Sequence, residues 1–579
     1  MIRSFKTLFV LVVLCLAGLA SAKDLSVTPG SYPLDIAKYD FIDTTLNVIQ
    51  FPSGSASFEP FFKKLDTLVF ENRGQVRIMH IGGSHLQADV ISGRIREHLI
   101  KEYPGANAGR GFVFPFSAAK TNTPSSYGSY YKGIWDMSKN VLREVKKPLG
   151  ILGIAVSTSD PRAEISILLD RYNTEPMWGE TRFRLFGYSD NGDVLPVLRV
   201  DSTDIYGVHD SVSQSYLFTS PRPIDSINIQ FRWIDSLQQA TVAQFIVDSL
   251  VQDSIAKANA DTTQADSAKV PVDTVKKVEI PRNIALPDPA NVARDSMFQG
   301  ECDVLDTACL NQEEAVNNKM IDGAVTATQA DSANAATDSA VVDSATLIQR
   351  SRPRFTLTGI LSETDNPGIT YTSVGINGAR VPNYYKEVCP RIENELQFYK
   401  PDLIIFAIGI NDANVEHFDA KGFSANYDTL ITRFKAINPN VAFIFETNND
   451  MYRKVKKRRY VQHPNGELAR QAFFNTAKKH KAGVWDKFSI MGGLGSMAKW
   501  EKADLAKGDK VHFKLAGYNL LGDMFYKAFI NAYMDHIAAL PAQEPVAPPP
   551  QPVKADTATT TTPAQPAAET PTATDTSSK

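Results

Sequence analysis

The stretch Val76-Arg77-Ile78-Met79-His80-Ile81-Gly82-Gly83-Ser84-His85-Leu86-Gln87-Ala88-Asp89 decides how this chain folds. A largely apolar run ends in two glycines, and a helical pattern over Val90–Tyr103 follows. Strand, tight turn and helix in that order place the Ser84 hydroxyl at the carboxyl end of a β-strand, where open α/β sheets bind their ligands. Three distant segments complete the chemistry: Gly375-Ile376-Asn377-Gly378, Gly409-Ile410-Asn411-Asp412 and Asp509-Lys510-Val511-His512. Asp509 and His512, three apart in a loop before a long helix, can set an imidazole against the serine and a carboxylate behind the imidazole. Gly378 and Asn411 would offer a backbone N–H and a side-chain amide to an oxyanion, beside the N–H of Ser84 itself. The expected catalytic residues are Ser84, Asp509 and His512, and the expected oxyanion hole is Ser84, Gly378 and Asn411.

Outward from this stretch the pattern is one of strands alternating with helices. A helix over Phe58–Phe70 precedes the first strand, and beyond residue 366 the order is strand Gly368–Val374, helix Tyr384–Phe398, strand Leu403–Ile408, helix Phe423–Ile437, strand Val441–Phe445 and helix Gly466–His480. Such alternation predicts an α/β fold with a doubly wound parallel sheet. In the last helix Leu521, Met524, Phe525, Ala528, Phe529, Ala532 and Tyr533 keep the i, i+3, i+4 spacing of one apolar face, so it should pack on the sheet.

Between the two halves the period changes. From Phe114 to Trp233 short alternating runs recur at Leu149–Val156, Ala163–Leu169, Thr181–Tyr188, Val194–Val200, Gln214–Thr219 and Ser226–Trp233, a spacing that predicts an inserted antiparallel β-sandwich. Residues 235–350 are rich in Asp, Ser, Ala and Thr, and are expected to stay disordered because they carry too little apolar surface to offset chain entropy. Repeated triplets there, such as Asp331-Ser332-Ala333 and Asp338-Ser339-Ala340, look like a periplasmic O-glycosylation sequon or are accidents of biased composition. Arg354–Ser362 would return as the strand closing the sandwich. The expected division is 1–22 signal peptide, 23–113 first part of the α/β domain, 114–234 sandwich, 235–350 low-complexity insertion, 351–365 closing strand, 366–540 second part of the α/β domain, and 541–579 a disordered tail rich in Pro, Ala and Thr.

The four motif blocks resemble those of the SGNH (GDSL) hydrolases, with Ser84, Gly378, Asn411 and His512 at the four family positions. Ile81–Asp89, Val374–Ala379, Trp485-Asp486 with Met491-Gly492-Gly493, and Asp509–Phe513 are similar to the Ape-type peptidoglycan O-acetylesterases. The resemblance implies a flavodoxin-like sheet of the SGNH type, an insert similar to a carbohydrate-binding module, a metal-free and cofactor-free serine mechanism, and an O-acetylated glycan, peptidoglycan above all, as substrate. The same machinery runs as an acetyltransferase when a glycan hydroxyl outcompetes water. The family's first block usually reads Gly-Asp-Ser, and Gly83 here removes a carboxylate that braces the turn, so a catalytically weakened glycan-binding protein is a third reading.

Composition sets bounds on these readings. Residues 1–22 read as a secretory signal, with Arg3 and Lys6 before the apolar run Leu8–Leu19 and Ala20-Ser21-Ala22 at the end, which implies a periplasmic or secreted protein. Its removal would take the formal net charge from −3 to −5, a balance that argues against nucleic acid as a partner. No other stretch reaches the roughly 20 apolar residues of a membrane span, so no stable membrane insertion is expected; the oligomeric state is left open. Cys302 and Cys309 pair or stay free, and Cys389 is expected to pack as a small apolar residue. His85, next to the nucleophile, should point away from Ser84, leaving His512 as the base. Asp509 is preferred to Asp504 as its partner. Gln87 and Asp89 either shape the site or merely start a helix. The basic run Lys454-Val455-Lys456-Lys457-Arg458-Arg459 reads as a solvated loop or as a contact for an anionic polymer.

Overall fold

The computed structural model describes residues 32–170, 179–190, 193–234, 353–456 and 459–540. The expectations for residues 1–22, 235–350 and 541–579, and for Cys302 and Cys309, lie outside the described residues.

Five parallel strands form the central sheet: β1 (Gln75–Gly82), β2 (Gly368–Gly375), β3 (Leu403–Ala407), β4 (Ala442–Glu446) and β5 (Gly483–Trp485). Their order is β2-β1-β3-β4-β5, the flavodoxin-like winding. Runs such as Leu403-Ile404-Ile405-Phe406 are buried throughout, as strands covered on both faces must be. Ile49–Gln50 adds an antiparallel edge to β5.

Six main helices clothe the sheet: α1 (Glu59–Glu71), α2 (Val90–Lys101), α3 (Ile392–Tyr399), α4 (Ala420–Ile437), α5 (Asn465–His480) and α6 (Leu515–Ala539). Phe406 of β3 and Phe445 of β4 are register partners, and both meet Tyr427 of α4 at ring distances of 5.3 and 5.0 Å. Phe473 of α5 joins them at 5.9 Å from Phe445. On the opposite face Phe525 of α6 packs on Trp485 at 5.2 Å and on His80 at 6.0 Å. The last helix thus packs on the sheet, as its apolar stripe predicts. Among the described residues no helix is long and apolar enough to cross a membrane.

Three local readings are corrected. The expected helix Tyr384–Phe398 begins only at Ile392, after a short 3-10 turn at Val381–Tyr384. Pro390 explains the break, since it disfavours helical backbone at Cys389 and brings no N–H. The expected strand Leu149–Val156 runs over Ile154–Thr158 instead, because residues 149–153 turn. The described ends of the basic run, Lys454–Lys456 and Arg459, are not a plain loop but lie in antiparallel strands, Tyr452–Lys456 against Arg459–Gln462.

The insert holds two antiparallel sheets. One has the order Thr203–Tyr206, Val194–Val200, Ser226–Trp233, Glu164–Leu168, Gly128–Lys132. The other has the order Val208–Asp210, Ser215–Ile224, Glu180–Ser189, Phe355–Glu363, Ile154–Thr158, Asp136–Lys139. Phe231 from the first sheet meets Phe355 from the second at 5.1 Å, so the two inner faces share a core. Phe355–Glu363, read in sequence as a closing strand, occupies the middle. Glu180–Ser189 runs along one of its edges, while Ile154–Thr158 and Phe112–Val113 divide the other.

Insert and parallel sheet are continuous in their cores. Phe112 packs edge-on against Tyr399 of α3 at 5.6 Å. The fully buried Glu395 of α3 accepts hydrogen bonds from the Thr358 hydroxyl (2.6 Å) and the Ile151 N–H (2.7 Å) of the insert. Burial pushes its carboxyl up to about 7, against the opposing pull of those two hydrogen bonds and of Arg391.

Candidate active site

Ser84 opens a one-turn helix, Ser84–Gln87, directly after β1, and Asn411 sits in another, Ile410–Ala413, directly after β3. β1 and β3 are neighbours, yet the chain leaves β1 and visits β2 on the other side before reaching β3. The two turns therefore flank the point where the strand order reverses, the place where doubly wound sheets open a crevice. Gly409, before the second turn, has φ +150°, and a Cβ there would come within 2.8 Å of Phe473 and 3.1 Å of Phe423. Only glycine fits between the buried strand and the turn carrying Asn411.

The loop before α6 brings in the remaining groups. Its ends are clamped by the bridge between Ala506 and Phe513, and Phe513 is buried against Trp500 at 5.3 Å. Within it Lys510 takes a left-handed φ of +56°, curling the chain so that Asp509 Oδ1 accepts the N–H groups of Val511 (2.9 Å) and His512 (3.0 Å). Asp509 Oδ2 lies 2.8 Å from His512 Nδ1, and His512 Nε2 lies 2.8 Å from Ser84 Oγ. Burial alone would raise the Asp509 carboxyl, but its hydrogen bond to His512, the imidazole charge and the two N–H donors hold it below the usual carboxylate range. An ionised Asp509 fixes the proton of His512 on Nδ1, which leaves Nε2 to accept from the serine.

The expected oxyanion groups converge on the same place. As the first residue of its helical turn, Ser84 has no acceptor for its N–H within that turn. Gly378 is exposed with φ +80°, and among the described residues its N–H donates to no protein acceptor. The Asn411 amide spends one N–H on the Ala379 carbonyl at 3.1 Å, which anchors it and leaves the second. A Cβ on Gly83 would lie 3.4 Å from that amide nitrogen. The position where the family carries Asp thus faces Asn411, and the Ala379 carbonyl holds the amide instead.

Residues left undecided or unread in the sequence support these groups. Gln87 accepts the Asn377 N–H at 2.7 Å and donates to Thr121 at 2.9 Å, tying the Gly378 turn to the insert. Asp89 is a buried hub whose carboxylate meets Arg96 at 3.0 Å and Arg110 at 3.1 Å; these cations outweigh burial and hold it far below the carboxylate range. His85 turns away from Ser84 toward the Tyr518 hydroxyl at 2.9 Å. Burial first, and then the positive charges of His512, Lys487 and Lys507, hold it well below the usual imidazole range. A neutral ring therefore backs His512 at 5.2 Å. Asp504 pairs with Lys514 and takes no part. Cys389 is buried and its thiol is pushed up to about 12 by burial. Asn449, which no sequence signal marked, donates to the Val511 carbonyl at 3.0 Å and so holds the His512 loop from behind.

This arrangement can transfer an acyl group from an ester to serine and then to water. Residues 344–520 match the GDSL-like lipase/acylhydrolase family. No curated protein sequence matches the chain. Among solved structures, a peptidoglycan O-acetylesterase is similar at 14% identity with a TM-score of 0.52, covering 84% of this chain and 99% of its own. An acetyl xylan esterase matches at 16% identity and a TM-score of 0.23, over 28% of this chain and 83% of its own. A GDSL-like lipase from Bacteroides thetaiotaomicron matches at 16% and 0.21, over 28% and 76%. The first likeness shows a shared fold, and the segment 344–520 is similar to the GDSL-like lipase/acylhydrolase family.

Proposed function

We propose that this protein is a serine esterase that removes O-acetyl groups from a cell-envelope polysaccharide, with peptidoglycan as the substrate. The hydrogen-bonded chain from Ser84 through His512 to Asp509, two links of 2.8 Å each, carries the reading. Ser84 Oγ attacks the acetyl carbonyl as its proton passes to His512 Nε2. The N–H groups of Ser84 and Gly378 and the Asn411 amide hold the oxyanion. Collapse expels the sugar oxygen, which takes the proton from His512, and water then attacks the acetyl-enzyme by the same route in reverse. The likeness in fold to a peptidoglycan O-acetylesterase, insert included, supports the choice of glycan. The place of action proposed from residues 1–22 is the periplasm or the medium.

The test is acetate release from O-acetylated peptidoglycan by wild-type and Ser84→Ala protein. Release that depends on Ser84 is expected. No release from peptidoglycan, with brisk hydrolysis of small acetyl esters, would move the substrate elsewhere; release unaffected by the substitution would sink the assignment of the nucleophile.

A further inference from the structure

The hairpin Tyr452–Lys456/Arg459–Gln462 is absorbed by nothing in the mechanism above, yet it grows out of the site's own scaffold. Its root residue Met451 shares a small apolar cluster with Ile410 and Val511, which flank Asn411 and His512 in sequence. The Tyr452 N–H donates to the Lys510 carbonyl at 3.3 Å, and Lys510 Nζ lies 5.1 Å from the centre of the Tyr452 ring. The other strand is closed at its foot by the His463 N–H on the Met451 carbonyl at 3.1 Å. The buried Asp450, just before the hairpin, accepts the N–H groups of Gly495 and Met497 at 3.1 and 3.0 Å, pinning the root from the far side. The arm is thus mounted rigidly between the Asn411 turn and the His512 loop.

What the arm presents is positive charge. Lys454 and Arg459 are exposed and Arg453 is half-buried, and among the described residues none of the three has an acidic partner. Two lysines of the neighbouring loop are neutralised, Lys510 by Glu501 at 3.2 Å and Lys514 by Asp504. In a chain whose formal net charge is −3, an unbalanced cationic arm beside a catalytic crevice attracts anions toward that crevice. Lys454 stands opposite Tyr460 in the register, so an aromatic ring adjoins an ammonium on the same strand pair.

We infer that this hairpin is a docking arm for the carboxylate groups of the substrate polymer, which makes the substrate class a carboxylate-bearing envelope polymer rather than a neutral glycan. The inference rests on the glycan-esterase reading but is tested apart from catalysis. Full-length Ser84→Ala protein, which should bind without turnover, is sedimented with insoluble peptidoglycan sacculi and with the same sacculi after amidation of their carboxyl groups.

Binding to untreated sacculi should be roughly tenfold tighter than to amidated sacculi, at the low end of electrostatic steering effects, and this advantage should vanish as salt is raised. Adding Arg453→Gln, Lys454→Gln and Arg459→Gln should bring untreated sacculi down to the amidated level, with an unchanged melting temperature. Should that variant fail to fold, the contrast between the two polymers and its salt dependence in the Ser84→Ala protein still decide. Equal binding to both polymers, or capture by anionic phospholipid vesicles in place of sacculi, would overturn the inference. Charge-dependent binding without acetate release by wild-type protein would keep the arm and remove the esterase reading.

Discussion

The parallel sheet and the inserted sandwich put their strands to different ends. In the sheet, strands hidden on both faces carry loops at their carboxyl ends, and every group of the candidate site rides on one of those loops or on the segment before α6. In the sandwich the strands are the product: a layered core around Phe355 and Phe231, with its middle strand arriving from far downstream of its neighbours. The difference teaches where chemistry and cohesion are stored. The proposed proton transfer would depend on a few polar atoms at the switch point, whereas the joint between the two regions depends on buried contacts such as Phe112 on Tyr399 and Glu395 under Thr358 and Ile151. Two buried carboxylates near that joint are opposites as well: Asp89 is kept charged by two arginines, whereas Glu395, with no arginine within ion-pair range among the described residues, is pushed toward its neutral form.

Substitutions can break this division, beginning with the strongest effect. Ser84→Ala should cost on the order of 10⁶ in kcat on a small acetyl ester, as for other serine triads, and leave the thermal unfolding of the whole chain unchanged. Loss of cooperativity on that substitution would mean that the site also holds the fold. Asp509→Asn should lower kcat by about 10⁴ through the wrong imidazole tautomer, measured at the pH optimum of the wild-type protein. Asn411→Ala should be milder, about 10²–10³, with KM changed little, because its amide serves a charge that exists only in the transition state.

The weakest effect on activity and the clearest on stability belongs to the joint. Folded, Glu395 keeps its proton up to about pH 7, while unfolded it loses it near 4.5. The folded state therefore binds the extra proton between those values, and stability is full below about 4.5 and falls as pH rises to 7. The decline is about 3 kcal/mol at roughly 1.4 kcal/mol per pH unit. Glu395→Gln, which keeps one donor and one acceptor, should flatten that part of the curve in denaturant titrations across pH 4.5–7 and leave ester hydrolysis within about twofold. Asp412, pushed up to about 6 by burial, slopes the same way and remains in the variant, so a residual decline is expected.

Local sequence determined the parallel α/β fold, the site blocks and the stripe of α6, because strand runs, glycine turns and helical spacing are short-range signals read from a few neighbouring residues. The Ser84 turn and the Asp509–His512 spacing were legible for the same reason, since each is a local shape. Tertiary structure alone decided what depends on partners distant in the chain. Phe355–Glu363 is central because Glu180–Ser189 and Ile154–Thr158 claim both its edges. Gln87 became a clamp because Asn377 and Thr121 arrive on either side of it. His85 was parked on Tyr518, and Asn449 was set behind Val511. A hydrogen bond between residues hundreds of positions apart leaves no periodicity in the chain, and only the folded packing selects which of many equivalent polar side chains will make it.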